Sequence, residues 1–206
     1  MADRVALIDY GAGNLHSVHN ALRAAGASDV SVTADPEAVL AADRIVLPGV
    51  GAFAACASAL NAIPGMRTAL DEAMLKRARP FLGICVGMQL MATRGDEFGG
   101  ETGLDWIPGT VRLLRPADPA LKVPHMGWND VTPATPHPLI TAGEAYYLHS
   151  FVFDAVEASQ VVAVSDHGGP VTAAVARDAM IGVQFHPEKS QRYGLDFLAR
   201  FLEWRP

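Results

Sequence analysis

The feature that most constrains this chain is a recurring passage from apolar run to glycine-bearing turn to helix. RVALIDY at 4–10, RIVLPG at 44–49 and RPFLGIC at 79–85 are compact apolar runs, and each leads through a turn into a helical pattern. A run that is apolar on successive residues, and so on both strand faces, reads as a strand buried on both sides. VSVTA at 30–34 adds another strand. The helices between them carry their own punctuation. Asn14 is placed to cap LHSVHNALRAA, which stops at Gly26, and Asp35-Pro36 supplies an N-cap and first-turn proline for PEAVLAA. AFAACASALNA, MRTALDEAMLKRA and VGMQLMATR read as three further helices, the last running directly on from Cys85. Alternating strand and helix predicts a mostly parallel sheet covered on both faces. Beyond residue 104 the pattern changes to strands separated by Pro, Gly and Asp: GTVRLL, GWNDV, YYLHSFVF, SQVVAVS, VTAAVA and MIGVQF. YGLDFLARFLEW then closes the chain as an amphipathic helix. The expected fold class is α/β, in one domain over 1–206, with a β-rich second half and a C-terminal helix.

Composition narrows the function classes. With 206 residues, half of them hydrophobic and 18% charged, the chain is long enough to bury a large core. A formal charge of −6 gives no basis for nucleic acid or an anionic membrane as partner. Cys56 and Cys85, the two cysteines, make no disulfide framework, and Cys56 reads as a buried helix residue. The apolar stretch at the N-terminus is short and broken by Asp9, unlike a signal peptide, and no window reaches the ~20 apolar residues of a membrane span. The expectation is a soluble, cytoplasmic chain.

Chemistry concentrates in two short motifs. GICVG at 83–87 lies where a strand ends and a helix begins. A nucleophile on such an elbow needs small neighbours, which Gly83 and Gly87 provide, in the same logic as the serine elbow G-x-S-x-G. The following helix start should favour a Cys85 thiolate, and the Val86 N–H should point where an oxyanion would form. Taken alone, the pentapeptide equally fits a small buried cysteine at a tight turn. His186-Pro187-Glu188 breaks that tie. Pro187 biases His186 toward an extended conformation, in which Glu188 lies on the same side and can orient the imidazole. A base oriented by a carboxylate is what thiol activation requires. HPE alone fits a strand-end turn with a solvated Glu188, but HPE and GICVG each end a buried run. PGVGAF at 48–53 has glycines that let backbone amides approach a substrate, with Val50 and Gly51 as candidates for the second half of an oxyanion hole.

Competing signals are weaker. GAGNLH with a downstream Asp35 resembles a dinucleotide fingerprint, but His16 stands where the third glycine belongs. The seven histidines show no zinc-binding helix spacing and Cys85 has no cysteine partner, so no metal is expected. His125, His137 and His149 read as structural histidines near turns or strands.

The motifs resemble those of the class I (triad) glutamine amidotransferases over essentially the whole chain. Within that superfamily the closer likeness is to the glutaminase subunits of imidazole glycerol phosphate synthases. It is carried by IDYGAGNLHSV, LPGVGAF, FLGICVGMQLM, GLDWIPGTV, VPHMGWN, YYLHSF and GVQFHPEKS in this order. The resemblance implies a flavodoxin-like fold, a Cys85–His186–Glu188 triad, and glutamine held by Gln89, Glu97 and the backbone around Ser150 and Phe151. Family members often carry Tyr at the position of Phe151, a change that backbone contacts would survive. It also implies a heterodimer with a (β/α)8 cyclase near Trp128 and Lys189, ammonia delivered to that partner, and no cofactor. The cyclase would then form imidazole glycerol phosphate and an aminoimidazole carboxamide ribonucleotide. Three other readings stay open at this point: a glutaminase serving another acceptor, a free-standing cysteine hydrolase, and a non-catalytic interaction module. HMGWN and Lys189 weigh against the first, an intact triad against the last.

Overall fold

A computed structural model describes residues 3–206. Strands β1 (Arg4–Ile8), β2 (Asp29–Thr33), β3 (Arg44–Gly49) and β4 (Phe81–Cys85) are parallel neighbours in the order β2-β1-β3-β4. β13 (Met180–Val183) joins β4, also in parallel. β3, β4 and β13 are buried at every position, whereas the edge strand β2 has only exposed and half-buried positions. Beyond β13 the sheet turns antiparallel through β12 (Pro170–Arg177), β11 (Val161–Asp166), β8 (His125–Pro133) and β9 (Gly143–His149), nine strands in all. A second sheet of four strands has the order β10-β7-β5-β6, with β10 (Phe151–Ala155), β7 (Ile107–Leu113), β5 (Ala92–Gly95) and β6 (Glu101–Thr102).

The helices follow the apolar periodicity. α1 (Leu15–Ala24) buries Val18, Ala21 and Leu22. It ends with the Gly26 N–H bonded to the Arg23 carbonyl and the Ala27 N–H to Leu22, with Gly26 at φ +113°, the left-handed stop expected of that glycine. Asn14 holds the N-cap position of α1, but its side chain makes no capping bond. α2 (Pro36–Ala41) is capped by Asp35, which accepts from the Glu37 N–H at 3.0 Å. α3 (Phe53–Asn61) and α4 (Met66–Asp71) follow, the latter continued by a π-turn over Glu72–Lys76. Among the described residues no helix is long and apolar enough to cross a membrane.

Two expectations are corrected. VGMQLMATR is not one helix: α5 (Val86–Gln89) is a single turn, and Ala92 already begins β5. The carbonyls that would propagate the helix are captured elsewhere, Leu90 by the Leu104 N–H, Met91 by Trp106 and Ile107, and Ala92 by Asp105. YYLHSFVF is not one strand either. It divides at Ser150 into β9 of the large sheet and β10 of the small one, because the Ser150 carbonyl takes the Leu114 N–H while His149 remains opposite His125.

The closing helix α6 (Gln191–Glu203) buries Gly194, Phe197, Leu198 and Phe201, a spacing of three and four residues that marks one face. Arg44, 1% exposed, ties its end to β3 by donating to the Phe201 carbonyl at 2.7 Å, the Trp204 carbonyl at 2.9 Å and Asp3 at 3.0 Å.

Candidate active site

Cys85 sits at the C-terminal end of a central parallel strand, where open α/β sheets place their ligand crevices. Its backbone is at φ +54°, ψ −111°, a strained conformation for a residue with a side chain. Strand and helix are in near contact around it. A Cβ on Gly87 would lie 1.9 Å from the Leu47 carbonyl oxygen, and one on Gly83 would lie 2.6 Å from the Gly87 oxygen. Both glycines are therefore steric necessities of the elbow. Since α5 is one turn long, no long helix dipole acts at Cys85.

His186 is extended (φ −99°, ψ +97°), as the following proline requires, but residues 187–189 form a 3-10 turn instead of continuing the extended segment. Glu188 nonetheless reaches the ring, its Oε1 2.8 Å from His186 Nδ1, with both side chains at most 3% exposed. The His186 backbone is pinned on two sides. Its N–H donates to the Tyr146 carbonyl at 2.9 Å, and its own carbonyl accepts from Ser190 Oγ at 2.6 Å. Ser190 Oγ in turn accepts from the Tyr146 N–H, and Pro187 packs so closely on Gly194 that a Cβ there would meet its oxygen at 1.9 Å. Burial works against a charge on His186. Hydrogen bonding to Cys85 and Glu188 outweighs it and lifts the imidazole to about 9. At neutral pH the arrangement favours imidazolium next to sulfur.

A cavity of about 130 Å³ opens at this point, lined by Val50, Gly51, Cys85, Val86, Gln89, Leu148, His149, Ser150, Phe151, His186 and Lys189. That is small beside the roughly 300–1,000 Å³ of drug-sized sites, so it suits an amino-acid side chain better than a nucleotide. The PGVG loop forms one wall. Tyr10 Oη donates to the Pro48 carbonyl at 2.7 Å, and the buried Cys56 thiol donates to the Val50 carbonyl at 3.4 Å. Burial first, and the neighbouring cysteines next, hold the Tyr10 phenol far above its ordinary range, so it stays a donor. The peptide being trans, the Gly51 N–H points away from the Val50 carbonyl that Cys56 holds. The GAGN turn has a supporting place here, since Gly13, at φ +113°, lies against Pro48 where a Cβ would be 2.9 Å from the ring.

Of the ten residues expected at the site, nine meet around this cavity or, for Glu188, touch its lining. Glu97 is the exception. Its carboxylate accepts from the Phe53 N–H at 2.7 Å, anchoring the first turn of α3 just past the PGVG loop, and it does not line the cavity. Gln184 is the residue that motif reasoning missed. Fully buried, it donates to Cys85 Sγ at 3.6 Å, and its Oε1 accepts from Gln89 Nε2 at 3.0 Å. A glutamine inside the otherwise apolar run MIGVQF, two residues before the histidine, was the available signal. Among the described residues no group of three or more His, Cys, Asp or Glu is arranged to hold a metal.

Comparison with known proteins agrees with this geometry. Residues 6–203 match the model of the family described as glutamine amidotransferase class-I. The chain is 62% identical over 205 residues to the imidazole glycerol phosphate synthase subunit HisH of Zymomonas mobilis subsp. mobilis, covering 98% of this chain and 96% of that one. The HisH subunit of Caulobacter vibrioides is 53% identical, with 98% and 99% covered. Among solved structures, one described as a glutamine amidotransferase superimposes with a TM-score of 0.75 at 13% identity, covering 97% of this chain and 99% of that one. PurLQS from Thermotoga maritima gives 0.71 at 18% identity, covering 98% and 99%, and these two likenesses speak for the fold. The chain belongs to the class-I glutamine amidotransferase family, and within it to the group of imidazole glycerol phosphate synthase HisH subunits.

Proposed function

We propose that this chain hydrolyses glutamine to glutamate and ammonia through a thioester on Cys85, and passes the ammonia to a cyclase subunit. The observation that carries the chemistry is the strained Cys85 elbow facing a buried His186–Glu188 pair. The Cys85 thiolate attacks the side-chain carbonyl of glutamine. The oxyanion is met by the Val86 N–H and by amides of Val50 and Gly51. As the C–N bond breaks, the His186 imidazolium gives its proton to the leaving nitrogen, releasing ammonia and leaving a glutamyl thioester. Neutral His186 then takes a proton from water, hydroxide equivalent attacks the thioester, and glutamate leaves with the thiolate restored. Glu188 keeps the ring oriented and balances its charge. Gln89 and the backbone at Ser150 and Phe151 hold the amino-acid end, and Glu97 supports the loop from outside the cavity.

The partner is a (β/α)8 cyclase, forming a heterodimer in the cytoplasm and producing imidazole glycerol phosphate and an aminoimidazole carboxamide ribonucleotide. Its docking position is supported by one continuous surface. Trp128 stands edge-on to Tyr146 with centroids 6.2 Å apart, Lys189 Nζ lies 5.8 Å over the same Tyr146 ring, and Lys189 lines the cavity. The test is Cys85→Ala in the assembled complex. Glutamine-dependent product formation should vanish while formation from added ammonium salt persists, because free ammonia bypasses only the thioester step. Loss of both in a folded complex would refute the assignment.

A further inference from the structure

Behind the cavity lies a buried polar chain that the triad does not use. Asn129, His125 and His149 connect in series: Asn129 Nδ2 to His125 Nε2 at 3.0 Å, His125 Nδ1 to His149 Nε2 at 3.0 Å, and His149 Nδ1 to the Phe151 carbonyl at 2.9 Å. Both imidazoles are at least nine-tenths buried. The proton positions follow from the two ends. Asn129 is oriented without ambiguity, because its Oδ1 accepts from the Asp130 N–H at 2.8 Å while its Nδ2 donates to the Asp166 carbonyl at 2.7 Å. Its remaining N–H makes His125 Nε2 an acceptor, so His125 carries its proton on Nδ1. At the other end a carbonyl oxygen can only accept, so His149 also carries its proton on Nδ1, leaving Nε2 bare for His125. Every bond runs in one direction, and both rings are neutral. A second proton on either ring would set one N–H against another, or against the Asn129 amide. Burial, reinforced by the neighbouring histidines, pushes both rings down to about 4.

The chain ends on the carbonyl that organises the substrate wall. Phe151 O accepts from Gln89 Nε2 at 3.2 Å as well as from His149, which occupies both of its lone pairs. The other Gln89 N–H goes to Gln184 Oε1, and Gln184 Nε2 reaches the Cys85 sulfur. With both hydrogens spent, Gln89 offers the cavity only its carbonyl oxygen, which accepts from the ammonium end of an amino acid.

We propose that His125 and His149 are positioning residues for glutamine binding: a one-way pair of neutral Nδ1–H imidazoles that fixes the Phe151 carbonyl and, through it, the orientation of the Gln89 amide. The proposal rests on the glutaminase reading, and the test separates the two. In the ¹⁵N-histidine-labelled full chain at pH 7, both rings should show a protonated Nδ1 and a bare Nε2, the opposite of the tautomer that predominates in free histidine. An imidazolium or an Nε2–H form at either position overturns the relay, whatever the activity. In the complex with its cyclase, His149→Leu removes the donor to Phe151 and should raise KM for glutamine roughly tenfold, the size of one neutral hydrogen bond, with kcat within about threefold. His149→Asn places an N–H where Nδ1 stood and should bring KM back to within about twofold, whereas His149→Gln places one where Nε2 stood and should not. An unchanged KM in the leucine variant, or a loss confined to kcat, overturns the positioning role. Should the leucine variant fail to fold, the asparagine and glutamine pair decides in its place, equal KM values overturning the role. If the unmutated complex releases no glutamate, the proposed function falls and the tautomers alone still judge the relay.

Discussion

Cys85 and His186 share a proton economy that sets what each substitution should do. His186 is lifted to about 9 against the pull of burial, by hydrogen bonding to Cys85 and Glu188 and by their charges. Cys85→Ala removes the first of these and leaves the second, so the imidazole should titrate below 9; histidine NMR on the full chain reads this directly, and an unshifted value would contradict it. A pKa raised above the ordinary 6.5 contributes stability that is fully present below 6.5 and lost as pH climbs through about 9. His186→Gln should therefore cost more at pH 6 than at pH 9.5 in urea melts. In the proposed mechanism His186 handles the proton twice while Glu188 only orients it, through one oxygen; its other carboxylate oxygen is buried and has no hydrogen-bond partner among the described residues. By analogy with serine triads, Glu188→Ala should keep on the order of 10²-fold more glutaminase activity than His186→Ala. The reverse order, with both proteins folded, would exchange the roles. These residues were legible because HPE and GICVG combine backbone rules with reactive side chains. Gln184 and the His125–His149 pair were not, because a buried amide or imidazole shows locally at most that a polar group sits in an apolar run, not what it faces across the sheet.

The elements show where local reasoning reaches its limit. β1, β3 and β4 were legible as continuous apolar runs, since a strand buried on both faces has no polar side to hide. α5 was not, because its end is decided by residues 103–107 taking the carbonyls of Leu90, Met91 and Ala92, a contact no window around residue 90 contains. The split at Ser150 has the same origin. Glycine roles can now be ranked by what a methyl group would meet. At Gly87 it would overlap a backbone oxygen at 1.9 Å, and backbone on both sides of the elbow cannot yield. A Cβ on Gly11 would meet nothing within 4 Å among the described residues, and only the left-handed φ of +83° opposes alanine. Gly11→Ala should cost about 1–2 kcal/mol. Gly87→Ala should cost at least about 3 kcal/mol, lowering Tm by roughly 6–12 °C, and should displace Cys85. Comparable melting temperatures for the two variants would show that the elbow can widen to admit a methyl group.

At the scale of the whole molecule, the site is assembled from distant parts of the chain that the sheet brings to one end. Cys85 comes from the end of β4, His186 from the segment just past β13 at the centre, and the Leu148–Phe151 wall from the crossing between two sheets. That the first strands form a parallel sheet was legible, but their order and the antiparallel extension through β12, β11, β8 and β9 were not, because pairing among strands separated by turns is set by tertiary fit. That extension carries the face next to the cavity. On it Met126 is 62% exposed and Trp128 47%, large apolar side chains that are costly to leave facing water. Tryptophan is among the residues most often found to anchor interfaces, where truncation typically removes 2 kcal/mol or more. If the cyclase docks here, Trp128→Ala should weaken the complex by at least about 30-fold in titration calorimetry, equivalent to that energy. The ring meets Tyr146 edge-on and is half exposed, so the free chain should keep its Tm within a few degrees. Ammonium-dependent synthesis by the cyclase should persist, while glutamine-dependent synthesis should recover only at partner concentrations high enough to refill the complex. Unchanged affinity for the cyclase would move the docking surface away from β8 and leave the exposed Trp128 without a role.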